Sequence, residues 1–193
     1  MPKIVDYEAR REELGTALLE VLAREGIDRV SVRSVAAQAG WTRGVIQHYF
    51  TDRDELLLYA YRLALQREAA ADAAADTGDA LDELVRTLLR ALPTDEMSSL
   101  DFRIFLGLLG RLADKPELAT SLSADHAAYE AKIVARVEAA VEAGAIRSAL
   151  PPETIARLLA VFVDGLGVTC ALYADRSDRA YLESQIRQFI GAL

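Results

Sequence analysis

The sequence predicts an all-α protein of about nine helices: an N-terminal three-helix unit holding a helix-turn-helix, then a C-terminal helical bundle. Three observations lead there. Ala and Leu are abundant and only five of the 193 residues are Pro, a composition that favours helix. Most of the few Pro and Gly residues fall between segments whose apolar positions recur at about 3.6 residues. No stretch alternates apolar and polar residues for long enough to argue for a strand.

The elements follow in order. Leu14, Leu18, Val21 and Leu22 make an apolar stripe on a helix from about Asp6 to Arg24, closed by Gly26. Ser31 stands as N-cap to a short helix from Val32 to Ala39, which Gly40 breaks. Thr42 caps the next, Arg43 to Tyr49. Asp52, Asp54 and Glu55 suit the positive end of a long helix from Asp52 to Ala75. Its Ala- and Asp-rich end, from Glu68 on, reads as weakly anchored and is stopped by Thr77-Gly78. Helices follow at about Asp79–Leu92, stopped by Pro93, and Glu96–Ala113, stopped by Asp114-Lys115-Pro116. The next runs from Pro116 or Ser121 to Ala143 and ends at Gly144. Pro151-Pro152 opens one reaching about Tyr173, and Arg179–Ile190 supplies the last.

Composition sets the class. With 52% hydrophobic and 27% charged residues there is material for a core, and disorder is excluded as the main state. Unbroken apolar runs fall short of the roughly 18 residues that a membrane span needs, and Asp6 interrupts any signal-peptide run. A cytoplasmic protein with no membrane partner is therefore expected. The single Cys170 cannot form an internal disulfide, and with only His48 and His126 beside it no metal site and no cofactor are expected.

The net charge of −8 argues against a nucleic-acid partner, until it is divided along the chain. Residues 1–54 hold eight Lys/Arg against nine Asp/Glu, and residues 55–193 hold fourteen against twenty-one. From Arg29 to Thr51 there are three arginines (Arg29, Arg33, Arg43) and no acid. A cationic island in an acidic chain points to a local anionic partner.

Within that island the residue order is that of two short helices crossing at a tight turn. Ala36 lies where the helices meet, Gly40 can take the positive φ of the turn, and Val35, Ala39 and Ile46 face inward. This is the logic of a helix-turn-helix whose second helix enters the major groove. Thr42 and Arg43 lie at its N-terminus, which reaches base edges, and Gly44 permits close backbone approach. Gln47, one turn beyond Arg43, can pair with adenine as Arg43 can with guanine. Ser31, Arg33, His48, Tyr49 and Arg53 complete the DNA-contacting set, with Arg33, His48, Tyr49 and Arg53 suited to phosphates.

The run Ser31–Leu57 resembles the DNA-binding domain of the TetR family of bacterial repressors, and the similarity extends over about Glu8 to Leu63. Gln47 stands where that family generally has Tyr, and Arg53 where it generally has Lys. Trp41 replaces a smaller apolar residue, so it either plugs the core, the favoured place, or lies against the sugar–phosphate backbone. The resemblance implies a homodimer on a palindromic double-stranded operator, released when a small-molecule effector occupies the C-terminal part. Residues 1–54 would then bind DNA, and 55–193 would bind effector and dimerise. Further on, Asp101–Leu109 and Phe162–Val168 are similar to the C-terminal domain of the betaine-repressor branch.

In that part, Leu159, Phe162, Gly165, Leu166, Leu182, Ile186 and Phe189 are expected to form half of a two-fold helical interface. Gly165 and Gly167, each costing about 1 kcal/mol against Ala in mid-helix, suggest close helix approach. Phe102, Phe105, Leu106 and Leu109, with His126 and Tyr129 on the next helix, are the candidate walls of an effector site. Asp101 and Asp164 are possible partners for a cationic effector, and Cys170 reads as a small core residue. Two other classes fit the residues less well. An enzyme lacks any phosphate loop, nucleophile elbow or His/carboxylate cluster here. A helical interaction module that has lost DNA binding would carry acids in the second helix, and Thr42–Phe50 has none.

Overall fold

The computed structural model describes residues 7–73 and 78–193. Residues 1–6, where Asp6 was expected to open the first helix, and the Thr77 stop of the fourth lie outside the described residues. The described residues form nine α-helices: α1 (Tyr7–Glu25), α2 (Val32–Ala39), α3 (Arg43–Ile46), α4 (Arg53–Ala73), α5 (Ala80–Arg90), α6 (Glu96–Leu109), α7 (Pro116–Glu142), α8 (Pro152–Leu172) and α9 (Arg179–Gly191). One-turn 3-10 helices stand at Ile27–Arg29 and Ala174–Arg176, and no strand occurs among the described residues.

Two helices end sooner than their periodicity suggests. After Ile46 the bonds tighten to a three-residue span, His48 N–H to the Val45 carbonyl (3.2 Å) and Tyr49 N–H to that of Ile46 (2.8 Å), so α3 is one turn long. After Leu109 the same tightening links Arg111 to Leu108 (2.9 Å) and Leu112 to Leu109 (3.1 Å). Such 3-10 endings keep the apolar spacing while abandoning the α-helix.

Packing divides the chain into two compact units. The first takes in the residues up to Gln66 together with Arg103–Lys115, so it extends beyond residue 54. Its core is the α1 stripe (Leu14, Leu18, Val21, Leu22) with Val30, Val35, Ile46, Phe50 and Leu56, each at most 2% exposed. Gly15 leaves room for α4: a Cβ there would lie 2.9 Å from a methyl carbon of Leu63. At the start of α4, buried Asp54 is paired with Lys115 (2.5 Å) and Arg111 (3.2 Å).

The second unit comprises Arg67–Phe102 and Pro116–Leu193. Its core draws Leu84 and Leu88 from α5, Ile133 and Val137 from α7, Ile155, Leu159 and Val163 from α8, and Leu182 and Ile186 from α9. Cys170 is buried there as a small core residue. α8 is two-faced. Leu158, Val161, Val168 and Leu172 are exposed, with Val161 and Leu172 about two-thirds open. By length and composition α8 could cross a membrane, with a mean hydropathy of 1.9 over its most apolar window. Arg157 and Asp164 break its apolar sequence into shorter runs.

The end of α4 is better anchored than its Ala-rich sequence suggests. Asp72, only 5% exposed, pairs with Arg90 (2.8 Å) and Lys132 and accepts the Thr87 hydroxyl (3.3 Å). Arg90 also donates to the carbonyls of Glu68 (3.1 Å) and Ala71 (2.9 Å), which closes the helix end with a cation. Burial pushes the neighbouring Glu68 carboxyl up to about 7; Lys132 and Arg90 oppose that shift, and Asp101 and Asp72 add to it.

The folded pKa of Glu68 lies above its unfolded value. Its contribution to stability is therefore complete below about pH 4.5 and is lost as the pH rises through about 7. Glu68→Gln mimics the protonated acid. Urea unfolding should show the variant more stable by roughly 3 kcal/mol at about pH 8, with the difference vanishing near pH 4. A constant difference across that range would show that Glu68 does not titrate in it.

Candidate nucleic-acid interface

The helix-turn-helix is set by short-range chemistry. Ser31 caps α2 by accepting the Ser34 N–H (3.1 Å), and the Ser34 hydroxyl accepts the Ser31 N–H (2.9 Å), a reciprocal capping box. The Ser31 hydroxyl expected to meet DNA is thus engaged inside the protein. Gly40 ends α2 at φ +69°, the left-handed geometry expected of it, and Trp41 N–H bonds back to the Ala36 carbonyl at 2.9 Å. Ala36 is 4% exposed, Val35 and Ile46 are fully buried, and Ala39 is only half-buried rather than inward.

Thr42, Arg43, Gly44, Gln47 and His48 are exposed on the other side, with Tyr49 half-buried. Thr42 has extended backbone but makes no side-chain cap bond, which leaves its hydroxyl outside the helix's own bonding. Nothing lies within 4 Å of where a Gly44 Cβ would stand, so the backbone is open to close approach. Arg29, Arg33 and Arg43 are exposed and make no ion pair among the described residues. Several acids of this unit are occupied, Glu25 by Arg24 (2.7 Å), Glu20 by the Gln38 amide (2.6 Å) and Asp52 by Lys115 (2.9 Å), while Asp28 is exposed. Burial opposes ionisation of Asp52 and Asp54, but the Lys115 ammonium outweighs it and holds both carboxyls below their usual range. The surface left over is cationic and amide-bearing, the chemistry that meets phosphates and base edges.

Arg53 departs from the simple phosphate-contact reading. Its guanidinium donates to the Ile27 carbonyl at 2.8 Å and lies 3.8 Å from Asp28, because α4 starts beside that 3-10 turn. Trp41 sits half-buried in the turn before α3, its ring 6.1 Å from that of Tyr49 and beneath the Arg10 guanidinium at 5.3 Å. Arg10 and Arg11 escaped the sequence reading. The one signal for them is position, since Arg11 falls one turn ahead of Leu14 on the α1 stripe.

The remaining candidates separate. Of the effector-wall residues, Phe105, Leu106 and Leu109 belong to the first unit, where Phe105 stacks on Tyr61 at 5.8 Å and Leu109 is exposed. Phe102, His126 and Tyr129 belong to the second. There Phe102 is buried against Gly167, whose added Cβ would lie 2.4 Å from the ring. Asp101 is engaged by Arg67 at 2.7 Å rather than left open for a cation. Of the expected interface residues, Leu159, Leu182 and Ile186 are at most 1% exposed within the chain's own core. Phe162 and Phe189 stack on each other at 4.1 Å, and Leu166 is half-buried. A helix apolar around most of its circumference does not tell from sequence which arc faces inward. Gly165 is exposed with nothing within 4 Å of its Cβ position, so no close helix approach is made there within the chain. Among the described residues no group of three or more His, Cys, Asp or Glu is placed to hold a metal ion.

Comparison with known proteins bears on the same regions. Residues 16–60 match the family of bacterial regulatory proteins, tetR family, and residues 80–193 match the BetI-type transcriptional repressor, C-terminal. Over its full length the chain is 25% identical to the HTH-type transcriptional regulator PksA of Bacillus subtilis (strain 168), of which 94% is covered. A transcriptional regulator from Rhodococcus sp. Rha1 shares the structure with a TM-score of 0.74 at 29% identity, over 94% of each chain. A regulator from Saccharomonospora viridis, solved in complex with choline, has the same fold at a TM-score of 0.74 and 23% identity, covering 95% of this chain and 96% of that one.

The capping box makes Ser31 a stability residue. Ser31→Ala should lower the unfolding free energy by about 1 kcal/mol in urea titrations. Wild-type stability with weakened DNA binding would instead return the hydroxyl to the DNA-contacting set.

Proposed function

Because the chain belongs to the TetR family of bacterial transcriptional regulators and carries a BetI-type C-terminal half, we propose that it is a cytoplasmic homodimeric repressor that leaves a palindromic operator when a small molecule binds. It acts by binding and not by catalysis. Residues 1–54 supply the DNA contacts, and residues 55–193 supply effector binding and dimerisation. The observation that supports this most is the acid-free outer face of the helix-turn-helix, where Arg33, Arg43 and Gln47 are all exposed. Arg43 and Gln47 are assigned to base edges, with Thr42 and the open backbone at Gly44 beside them. Arg33, His48 and Tyr49 are assigned to phosphates.

Dimerisation is assigned to the outward arc of α8. Leu158, Val161, Gly165, Val168 and Leu172 are all exposed and recur at alternating spacings of three and four, the seam of paired helices. A large apolar stripe left open on one chain marks an interaction surface. A homodimer would carry two α3 helices, and successive major grooves accept such helices roughly 34–36 Å apart. The effector is assigned to the second unit, near Phe102, His126 and Tyr129. A regulator of the same fold holds choline, which supports a small-molecule site without naming the ligand. Effector binding shifts DNA affinity only by its differential affinity for the two conformers.

Two experiments test this reading. A duplex enriched from a random-sequence pool by the unmodified chain serves as the specific target, and a mixed-sequence duplex as the control. Arg43→Ala or Gln47→Ala should weaken the enriched duplex by about 5- to 150-fold and the control far less. Equal losses on both would remove these residues from base reading. Val161→Glu should convert a dimer to a monomer in sedimentation at micromolar concentration, and an unchanged dimer would place the interface elsewhere.

A further inference from the structure

Two adjacent arginines on α1 touch aromatic rings that bracket α3. Arg10 holds its guanidinium carbon 5.3 Å from the centre of the Trp41 ring, and Trp41 stands two residues before α3 begins. Arg11 lies 5.8 Å from the Phe50 ring, four residues after α3 ends, and 4.9 Å from that of Tyr59. The rings are linked in turn: Trp41 to Tyr49 at 6.1 Å, and Phe50 to Tyr59 at 5.1 Å. The Tyr59 hydroxyl donates to the Arg11 carbonyl at 3.1 Å, tying the same turn of α1 to α4. Among the described residues the buried Arg11 Nε has no hydrogen-bond partner, and neither guanidinium makes an ion pair. The ring faces are what meet these cations, an attraction that strengthens as water is excluded.

We propose that Arg10 and Arg11 are positioning residues for DNA recognition, clamping the two ends of α3 to α1 through Trp41 and Phe50 without touching DNA themselves. The inference rests on the DNA-reading assignment above. A four-residue helix is below the length that sustains itself, and within α3 only Ile46 is fully buried. One buried side chain fixes where such a helix sits but leaves its rotation loose. Contacts at both ends remove that freedom, and rotation decides whether Thr42, Arg43 and Gln47 face the base edges together.

The test uses the whole chain, the pool-enriched duplex and the mixed-sequence duplex. Trp41 is the only tryptophan, so its emission reports directly on the stack. Arg10→Ala should weaken the enriched duplex by about 3- to 30-fold and leave the slope of log affinity against log salt unchanged. Trp41 emission should move to the red and become more open to acrylamide quenching. Arg10→Lys, which keeps the cation, should recover much of the affinity. A slope reduced by about one or more would show that Arg10 meets phosphate and would overturn the proposal. So would unchanged affinity, or lost affinity with unchanged emission. Arg11→Met keeps the half-buried stem and removes only the charge, so the chain stays folded; equal affinity for the enriched duplex would remove Arg11 from the clamp. If the unmodified chain enriches no sequence at all, the DNA-reading assignment falls first and the clamp with it.

Discussion

A helix of one turn cannot hold its own shape in water, since nucleation fixes several dihedrals for a single hydrogen bond. α3, Arg43–Ile46, is such a helix, and the first unit is organised around supporting it. The support comes from outside. Ala36 is small enough for α2 to cross it closely, Gly40 turns the chain at positive φ, and Ile46 anchors it in the core. The capping box at Ser31 and Ser34 fixes where α2 begins, which in turn sets where Gly40 falls. Recognition chemistry is thereby carried on an element that has almost no stability of its own, and its geometry is a property of the unit.

The second unit meets a different constraint. Its α8 is apolar on more of its surface than one core can cover, and α5, α7 and α9 take one arc while Leu158, Val161, Val168 and Leu172 remain outside. The polar cluster at the end of α4 works the other way. Asp72, Arg90, Lys132 and Thr87 bury charge that apolar residues of similar volume would often replace without loss of stability. What such a cluster supplies is directional: its ion pairs and hydrogen bond tie the end of α4 to α5 and α7.

How much of this was legible depended on the range of the interaction. The helix order, the α1 stripe, the Ser31 cap and the Gly40 turn are written within a few residues of each position, and the structure keeps them. The TetR resemblance carried by Ser31–Leu57 agrees with the family that residues 16–60 and 80–193 match. Long-range partners were not legible. That Arg53 would bond to the Ile27 carbonyl, or Arg90 to carbonyls at the end of α4, depends on which loops meet after folding. Which arc of α8 turns inward is not legible for the same reason: Leu159 and Val161 are two positions apart with similar hydropathy, yet one is fully buried and the other two-thirds exposed. The length of α3 was overestimated because 3-10 turns preserve apolar spacing.

Net charge misleads here for a physical reason. At physiological ionic strength a charge is felt over about 8 Å, so DNA responds to the groups next to its phosphates and hardly to a total of −8. In the first unit those groups are arranged by pairing rather than by composition. Glu25, Glu20, Asp52 and Asp54 are held by Arg24, Gln38, Arg111 and Lys115, Asp28 stays open, and Arg29, Arg33 and Arg43 make no ion pair among the described residues. The excess acid lies beyond residue 54, and its repulsion of DNA grows as salt falls and the screening length increases. That repulsion opposes loose, non-specific association under the very conditions that favour it most.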